Sequence, residues 1–424
     1  MDIKTQVLEQ LNSLYNFAID KETFDRVTFL GIGKKIQKIR FDKHAKDQAT
    51  KDNQLIETFL SEYTNESHKR IAKVLLENQL RQLSIQQPNT GVTDMKPLLM
   101  GTSARLIKKL MIFDNIIGLQ PMTGPVGQIF HMQYTYTDVE SETKGETTKH
   151  MALEIVSGAV EAYSRELQAA YTIEAAQDML CYHGLNIAEE LASALSDEIM
   201  TEIVYEIVSD LMALANRNPF TKELADRVPN TDGLRPDDYY KVARIKLNMA
   251  SSEIARKTRR GPGNVIITSM MGVTILKQII SHTGNKFVST PTEEGRSYQI
   301  GTISHVGSVV ASDDRVVYSV YATTSPVVDR NDKVTFLIGY KGTSATDTGY
   351  IYSPYVPLRS TGIIVDPITF QPLVRLMTRY GKWVKLLKKE TELEIIEPND
   401  IVHSSDYYVA IEIDTSNMVS ITEK

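Results

Sequence analysis

Between residues 186 and 211 apolar side chains return at every fourth position: Ile187, Leu191, Leu195, Ile199, Ile203, Ile207 and Leu211. Ala188, Ala192, Met200, Val204 and Val208 widen the stripe. This spacing predicts one long helix, roughly 40 Å from end to end at about 1.5 Å per residue. Asn186 stands where a cap is needed, and Glu189 at the third helical position completes a capping-box pattern. A four-residue repeat drifts around a 3.6-residue helix, so the stripe slides along the surface. That suits a rod lying across a sheet.

The same reading organises the rest of the chain. Residues 1–100 are polar, with a short amphipathic pattern at Val7, Leu8, Leu11 and Leu14 and a helical pattern over 53–83 marked by Ile56, Leu60, Ile71, Leu75 and Leu76. With few large apolar residues to close a core, this segment reads as an arm or pro-region. A short helix is expected over 104–114, then a turn-rich stretch with Pro121, Gly124, Pro125 and Gly127. Residues 131–150 first alternate and then become densely charged, as in a two-stranded loop exposed at its tip. Residues 164–181 read as helix and 219–236 as a linker. Asp237 or Asp238 caps a helix that Gly261-Pro262-Gly263 stops near residue 260. The apolar run Val265–Thr268 is a short buried strand before a helix at 269–280, so a second α/β domain starts here. Residues 298–340 are β-rich, most clearly at 315–321 and 333–340, and 349–384 is strand and turn. The charged residues 385–424 look like an added terminal hairpin or arm. No fixed-period repeat is present.

Composition narrows the classes. A chain of 424 residues allows two or three domains, and 42% hydrophobic with 24% charged residues is ordinary for a globular protein. The formal charge of −6 argues against a general nucleic-acid binder. It leaves room for a local basic stretch, and Lys34, Lys35, Lys38, Arg40, Lys43 and Lys46 form one against the single acid Asp42. The only cysteine, Cys181, can make neither an internal disulfide nor a cysteine zinc site, and reads as a small buried hydrophobe on a helix. A reducing cytoplasm fits. The N-terminus has no apolar core of a signal peptide, and no run of 18 apolar residues occurs, so neither secretion nor a membrane span is expected.

A search for chemistry finds no catalytic constellation. The eight histidines form no His-Glu-x-x-His pattern, so no metal is expected. Gly31-Ile32-Gly33-Lys34 lacks the spacing and the Ser or Thr of a phosphate loop, and no cofactor site emerges. Glu198, Glu202 and Glu206 line one face of the long helix at four-residue spacing, which reads as a solvated charged face.

Three groups of segments resemble the major capsid proteins of T-even-type myoviruses, collinearly over roughly 105–384. One is Phe113-Asp114-Asn115-Ile116-Ile117-Gly118-Leu119-Gln120-Pro121-Met122, continuing through Gly124-Pro125 and Gly127-Gln128-Ile129-Phe130. Another is Leu167-Gln168-Ala169-Ala170-Tyr171-Thr172-Ile173-Glu174 with Ala176-Gln177-Asp178, His183-Gly184, Glu198-Ile199-Met200 and Glu202-Ile203. The last comprises Arg260-Gly261, Gly263-Asn264, Ile266-Ile267, Gly339-Tyr340-Lys341-Gly342, Pro354-Tyr355-Val356, Asp366-Pro367, Phe370-Gln371-Pro372 and Thr378-Arg379-Tyr380-Gly381.

The resemblance implies an α+β chain of the Hong Kong 97 capsid fold. Its parts would be an N-terminal arm or pro-region (1–104), an arm-to-loop segment (105–130), an extended loop (131–163), a peripheral domain with a spine helix (164–236), an axial domain (237–348), return strands (349–384) and a C-terminal extension (385–424). It implies a structural subunit, not an enzyme, that forms hexameric capsomers, with pentamers or a vertex protein, in the virion shell. Assembly would occur in the host bacterial cytoplasm. The implied partners are scaffolding protein, portal, decoration proteins and non-specifically packaged double-stranded DNA, with no membrane. Contacts between subunits would fall on the loop charges Asp138, Glu140, Glu142, Lys144, Glu146 and Lys149. Proteolytic maturation would follow Glu57, Glu62 or Glu77, each preceded by a Leu/Ile-x pattern, and the basic stretch 34–46 would face DNA if left uncut.

Two departures stand out. T-even-type proteins carry a large inserted domain before the Leu167–Glu174 match, whereas fewer than 40 residues intervene here, so the resemblance does not extend to any clamp such an insert provides. The tail 385–424 is the second, and it is expected to supply the contacts that the insert would have made. A vertex subunit of the same fold, an encapsulin-like shell and an enzyme with an unrecognised pocket are the competing readings.

Overall fold

The structure is a computed structural model, and it describes residues 54–85, 92–140, 147–227, 236–281, 285–289, 303–311, 313–330, 333–384 and 405–414. The chain divides into two units, residues 1–69 and 70–424. The described part of the first is a helical stretch at 54–60, a turn, and the start of the next helix. There Asn65 Oδ1 accepts from Ser67 N (2.9 Å) and Lys69 pairs with Glu66 (3.0 Å). The sequence pattern had run one helix through 53–83; the structure breaks it at 61–65.

In chain order the elements begin with α1 (Glu66–Ile85), α2 (Val92–Leu110), a 3-10 turn (Met111–Asn115), β1 (Gly118–Leu119), β2 (Val126–Glu140), β3 (Thr147–Glu161) and β4 (Tyr163–Ala170). Next come α3 (Ile173–Asp178), a π-helical turn (Met179–His183), α4 (Ile187–Asn216), α5 (Pro219–Arg227) and α6 (Pro236–Thr258). Then follow β5 (Val265–Thr268), α7 (Met270–Ser281), β6 (Lys286–Ser289), β7 (Ile303–Val310), β8 (Val316–Thr323), β9 (Asp329–Arg330) and β10 (Lys333–Gly339). The chain closes with β11 (Tyr350–Val365), β12 (Pro372–Val384) and β13 (Tyr408–Asp414).

The described residues form three sheets. The first has the order β1-β11-β12-β4, with β1 parallel to β11 and the other pairs antiparallel. The second runs β13-β10-β5-β8-β7-β6 with β9 beside β10, and its β5–β8 pair is parallel. The third is the hairpin β2–β3, fifteen residues in each strand. The second sheet carries the larger core, where Ile266, Val320, Phe336, Ile338, Val409 and Ile411 meet Leu247 and Ile254 of α6 and Leu276 and Ile279 of α7. Val265–Thr268, buried at every position, sits where the apolar run placed it. A smaller cluster of Met122, Ile129, Val160, Tyr355, Val356 and Trp383 fixes the hairpin root to the first sheet. The two approach so closely at Gly381 that a side chain there would strike Val160.

Helix α4 joins the sheets. Asn186 caps it by accepting from Ala188 N (3.1 Å), while its side-chain amide donates to Glu189 (3.2 Å), so the two expected residues meet at the cap through their side chains and not through the reciprocal backbone bonds of a capping box. Its burial drifts as the four-residue repeat requires. Near the start Ala188 and Ala192 are buried while Leu191 and Leu195 are only partly so; near the end Ile207, Val208, Asp210, Leu211, Met212, Leu214 and Ala215 are all buried. The rod lies on β4, β11 and β12 and runs on to β10 and β13.

The structure corrects four expectations. Residues 163–170 are a strand, not the start of a helix: Arg165, Glu166, Leu167, Gln168 and two alanines favour helix in isolation, but β12 offers a ladder from Tyr163↔Tyr380 to Leu373↔Ala170, and sheet pairing overrides propensity. Residues 219–227 are helix α5, not linker. Asn218 caps it by accepting from Phe220 N, Pro219 occupies the first turn, and Phe220 and Leu224 enter the second core. Residues 70–85 are not a loose arm, since Ile71, Ala72, Leu75 and Leu76 are buried. Asn78 Nδ2 donates to the carbonyls of Met122 (2.7 Å) and Tyr355 (3.0 Å), and Gln79 Oε1 accepts from Leu358 N (3.2 Å). The tail is not wholly an appendage either. β13 pairs with β10 from Lys333↔Asp414 to Gly339↔Tyr408 and buries Tyr408, Val409, Ile411 and Ile413.

Among the described residues, no helix is long and apolar enough to cross a membrane.

Candidate functional site

The hairpin β2–β3 projects from the first sheet with an unbroken register from Val126↔Glu161 to Glu140↔Thr147. Its outer half carries the loop charges. In the backbone register Asp138 is paired with Lys149. Glu140 ends β2, whereas Glu142, Lys144 and Glu146 lie outside the described residues, as do Lys34, Lys35, Lys38, Arg40, Lys43 and Lys46. Where the hairpin joins the sheet, Gln120 clasps Phe130: its Nε2 donates to Phe130 O (3.0 Å) and its Oε1 accepts from Phe130 N (3.2 Å).

Beneath the hairpin, an ionic clamp ties α4 to the sheet. Glu202, Glu206 and Asp210 succeed one another at four-residue intervals, so they share a face of the helix. Arg165 on β4 bridges Glu202 (2.9 Å) and Glu206; Lys382 on β12 bridges Glu206 and Asp210 (2.7 Å). Tyr380 donates to Glu206, and Tyr350 donates to Asp210 at 2.9 Å. The face read from sequence as solvated is thus exposed at Glu198 and partly so at Glu202, whereas Glu206 is largely enclosed, as is Asp210 one turn further on. The reason is β4: as a strand it carries a cation under the helix, which a helical reading of 164–181 could not place. Burial alone would raise the Glu206 carboxyl, but hydrogen bonds from Lys382 and Tyr380 and the nearby cations outweigh it and hold the group low. At Asp210 burial wins over Lys382 and Tyr350, and the carboxyl is raised.

A second knot holds the crossing from the second sheet to the first. Arg260 pairs with Asp347 (2.6 Å), and Asn264 makes reciprocal hydrogen bonds with the Lys341 backbone (2.7 and 2.9 Å). Lys341 Nζ donates to the carbonyls of Gly342 (3.1 Å) and Ser344 (2.8 Å), so its charge is solvated by backbone. Burial nevertheless lowers the Lys341 amine, despite the charges of Asp114 and Asp347.

The three candidate cleavage points differ in backbone state. Glu57 is in the helical stretch 54–60, where its carbonyl accepts from Ser61 N. Glu62 lies in the turn between helices. Glu77 is mid-helix in α1, between buried Leu76 and Asn78. Cys181 is exposed on the π-helical turn, not buried as its residue type suggested. Among the described residues no group of three or more His, Cys, Asp or Glu side chains is placed to hold a metal ion.

Comparison with known proteins gives a consistent relation. A family model described as major capsid protein Gp23 matches residues 92–148 and 137–413, the two stretches meeting in the β2–β3 hairpin. The chain is 34% identical over 245 residues to the major capsid protein of Enterobacteria phage T4, covering 54% of this chain and 44% of that protein. It is 33% identical to that of Enterobacteria phage T6, covering 54% and 46%. The major capsid protein of Serratia phage KSP90 is 24% identical over 69% of this chain and 78% of its own length. The chain therefore spans under half the length of the T4 and T6 proteins it matches. A solved structure, the capsid of Myoviridae phage XM1, is 10% identical with a TM-score of 0.40, covering 72% of this chain and 91% of that one.

Proposed function

Because the chain belongs to the Gp23 major capsid protein family, we propose that it is the subunit of a phage head shell, assembling as hexameric capsomers into a closed icosahedral particle around double-stranded DNA. The family match across 92–413, which takes in both sheets and the hairpin, carries this reading. On it, the first sheet with α4 is the peripheral domain, the second sheet is the axial domain, and β2–β3 is the extended loop, in the Hong Kong 97 manner.

Shell assembly needs repeated contacts of moderate area, not a reactive centre. A rigid subunit with an outreaching hairpin meets that need. The clamp between α4, β4 and β12 fixes the angle at which the two sheets are held. The charges of the hairpin, Asp138, Glu140, Glu142, Lys144, Glu146 and Lys149, set register on a neighbouring copy more than affinity. Scaffolding protein, portal, decoration proteins and a vertex pentamer complete the particle, with assembly in the host cytoplasm. The basic stretch 34–46 faces DNA if it is retained.

Maturation by a protease fits Glu62 best. Cleavage requires backbone that can leave its hydrogen bonds, and susceptibility follows burial and pairing of the backbone. The turn at Glu62 satisfies this, whereas Glu77 would require α1 to unwind from its buried seat.

The deciding experiment is electron microscopy of the purified protein with intact mass on the same sample. Closed shells or hexagonal sheets are expected, and a chain that begins at Tyr63 adds maturation. A monomer that never assembles, even with its scaffolding protein, overturns the shell reading.

A further inference from the structure

The outer face of α6 is cationic. Past its first turn the helix carries Lys241, Arg244, Lys246, Arg256 and Lys257 against the single acid Glu253, in a chain whose formal charge is −6. Between this face and the start of α5 lies a groove of about 430 Å³, bordered by Phe220, Ile245 and Met249 and by Arg244, Glu253 and Arg256. Clefts of this size hold bound groups. Ile245 is 49% exposed, which gains an uncovered helix nothing. Glu253 is engaged by Arg256 and Lys257. Arg244 differs: its Nε is buried, and no hydrogen-bond partner meets it among the described residues. A buried donor without an acceptor costs free energy. What the groove lacks is a carboxylate and an apolar cover.

The chain carries both close by. Residues 385–404, between β12 and the residues that lead into β13, lie outside the described residues. In sequence, 390–400 has Glu390, Glu392, Glu394, Glu397 and Asp400 with no Lys or Arg, interleaved with Leu393, Ile395 and Ile396. The chain re-enters the described structure beside the groove. Ser405 O accepts from Asn218 Nδ2 (3.2 Å), and Oδ1 of the same Asn218 accepts from Phe220 N (3.2 Å) and from Lys257 Nζ (3.1 Å). The next residue, Asp406, pairs with Lys257 at 3.4 Å, so one acid of this connection already sits on a cation of α6. There is also chain to spare. Val384 is the register partner of Tyr350, whose hydroxyl donates to Asp210, and Ser405 is held by Asn218. Asp210 and Asn218 are eight positions apart, about 12 Å at about 1.5 Å per residue. Residues 385–404 can extend over roughly 65 Å at about 3.3 Å each.

We propose that residues 390–400 occupy the groove of their own chain, with their apolar side chains against Ile245 and Met249 and their glutamates toward Arg244 and Arg256. The occupant is the chain's own segment because Ile395 is only ten positions from Ser405. So short a tether keeps it at high effective concentration beside the groove, an advantage that a second copy lacks. Charge complementarity sets its register, and the isoleucines supply the buried apolar area. Seated there, the segment fastens β13, the strand at the edge of the second sheet, to the helices that cover that sheet. The proposal does not depend on the shell-subunit reading.

A photo-reactive side chain in the groove of the full chain tests it. Dilute Ile245→p-benzoylphenylalanine protein is irradiated, and the products are separated by denaturing electrophoresis and mapped by peptide mass spectrometry. The expected product has the mass of one chain and is joined to a residue within 390–400. The variant Glu390→Gln/Glu392→Gln/Glu394→Gln/Glu397→Gln in the same background should lower its yield by about fivefold or more, since charge directs the docking. An independent reading uses Ile245→Cys with Cys181→Ser. Its maleimide labelling should speed up by about fivefold or more when the four glutamates are replaced, because access limits the thiol. A cross-link that maps elsewhere, or none at all, overturns the proposal. A main product of two-chain mass assigns the groove to a second copy and overturns it too, as does labelling that the glutamine substitutions leave unchanged. The cross-link map alters only the exposed Ile245, so it decides even where the glutamine variant does not fold. None of these outcomes bears on the shell reading, which particle assembly tests separately.

Discussion

The Lys382 ammonium lies 2.7 Å from Asp210 Oδ2, and the same nitrogen also binds Glu206, so one cation on β12 grips two successive turns of α4. With Arg165 the clamp sets two cations against three carboxylates. Glu206 is its centre, since both cations and Tyr380 converge there. Substituting Glu206→Gln should destabilise the subunit by about 2–4 kcal/mol, because breaking an enclosed pair leaves charge uncompensated. A denaturant titration with fitted midpoint and slope measures it, and a loss under about 0.5 kcal/mol would contradict the clamp, being the range of ordinary surface substitutions.

The clamp also has a pH signature. Glu206 is held below its ordinary value of 4.5, so its stabilisation is present above that value and is lost as pH falls through the lower, folded one. Asp210 is raised and works with the opposite sign: stability it contributes is present in acid and fades as pH rises above 3.8 through its folded value. Asp210→Asn should therefore steepen the acid-side loss of melting temperature, and Glu206→Gln should flatten it. Parallel pH profiles for both variants and the parent would refute the assignment.

The Asn78 amide is the fastening of α1 to the first sheet. Asn78→Ala leaves the Met122 and Tyr355 carbonyls without that donor and should cost about 1–3 kcal/mol. A Glu-specific protease should cut the folded parent after Glu62 but not after Glu77, and the variant should become sensitive at Glu77. Early cleavage at Glu77 in the parent would show that α1 is loosely held.

Removing residues 405–424 should abolish soluble folding. β13 buries Tyr408, Val409, Ile411 and Ile413, and at about 1.5–3 kcal/mol for each large apolar side chain the loss rivals a whole domain's stability. A truncated chain with parental circular dichroism and melting temperature would contradict this.

Phe370→Gly should raise the subunit's stability by about 1 kcal/mol, since glycine adopts φ 57° without strain and the ring is mostly in water. Urea unfolding of the dissociated subunit reads it. An unchanged or lowered midpoint would mean that the ring packs within its own chain.

Periodicity and punctuation in the sequence determined the local elements. The four-residue stripe from Ile187 to Leu211 specifies α4 and its drift, and the run Val265–Thr268 specifies a buried strand, because each pattern records how much of a surface is hidden. The alternation from His131 to Thr137 likewise specifies a strand, which is β2. Collinear motifs specified the family relation, since they fix which residues stand at turns and crossings. Tertiary structure alone decided the rest. Residues 163–170 are strand because β12 lies beside them, and no local signal carries that. Glu202, Glu206 and Asp210 form a clamp because Arg165 and Lys382 arrive from strands some 40 and 170 residues away. Burial of Tyr408 and of Asn78 likewise depends on distant partners, as does the exposure of Cys181. Residue type records average burial, whereas the fold assigns each side chain its neighbours.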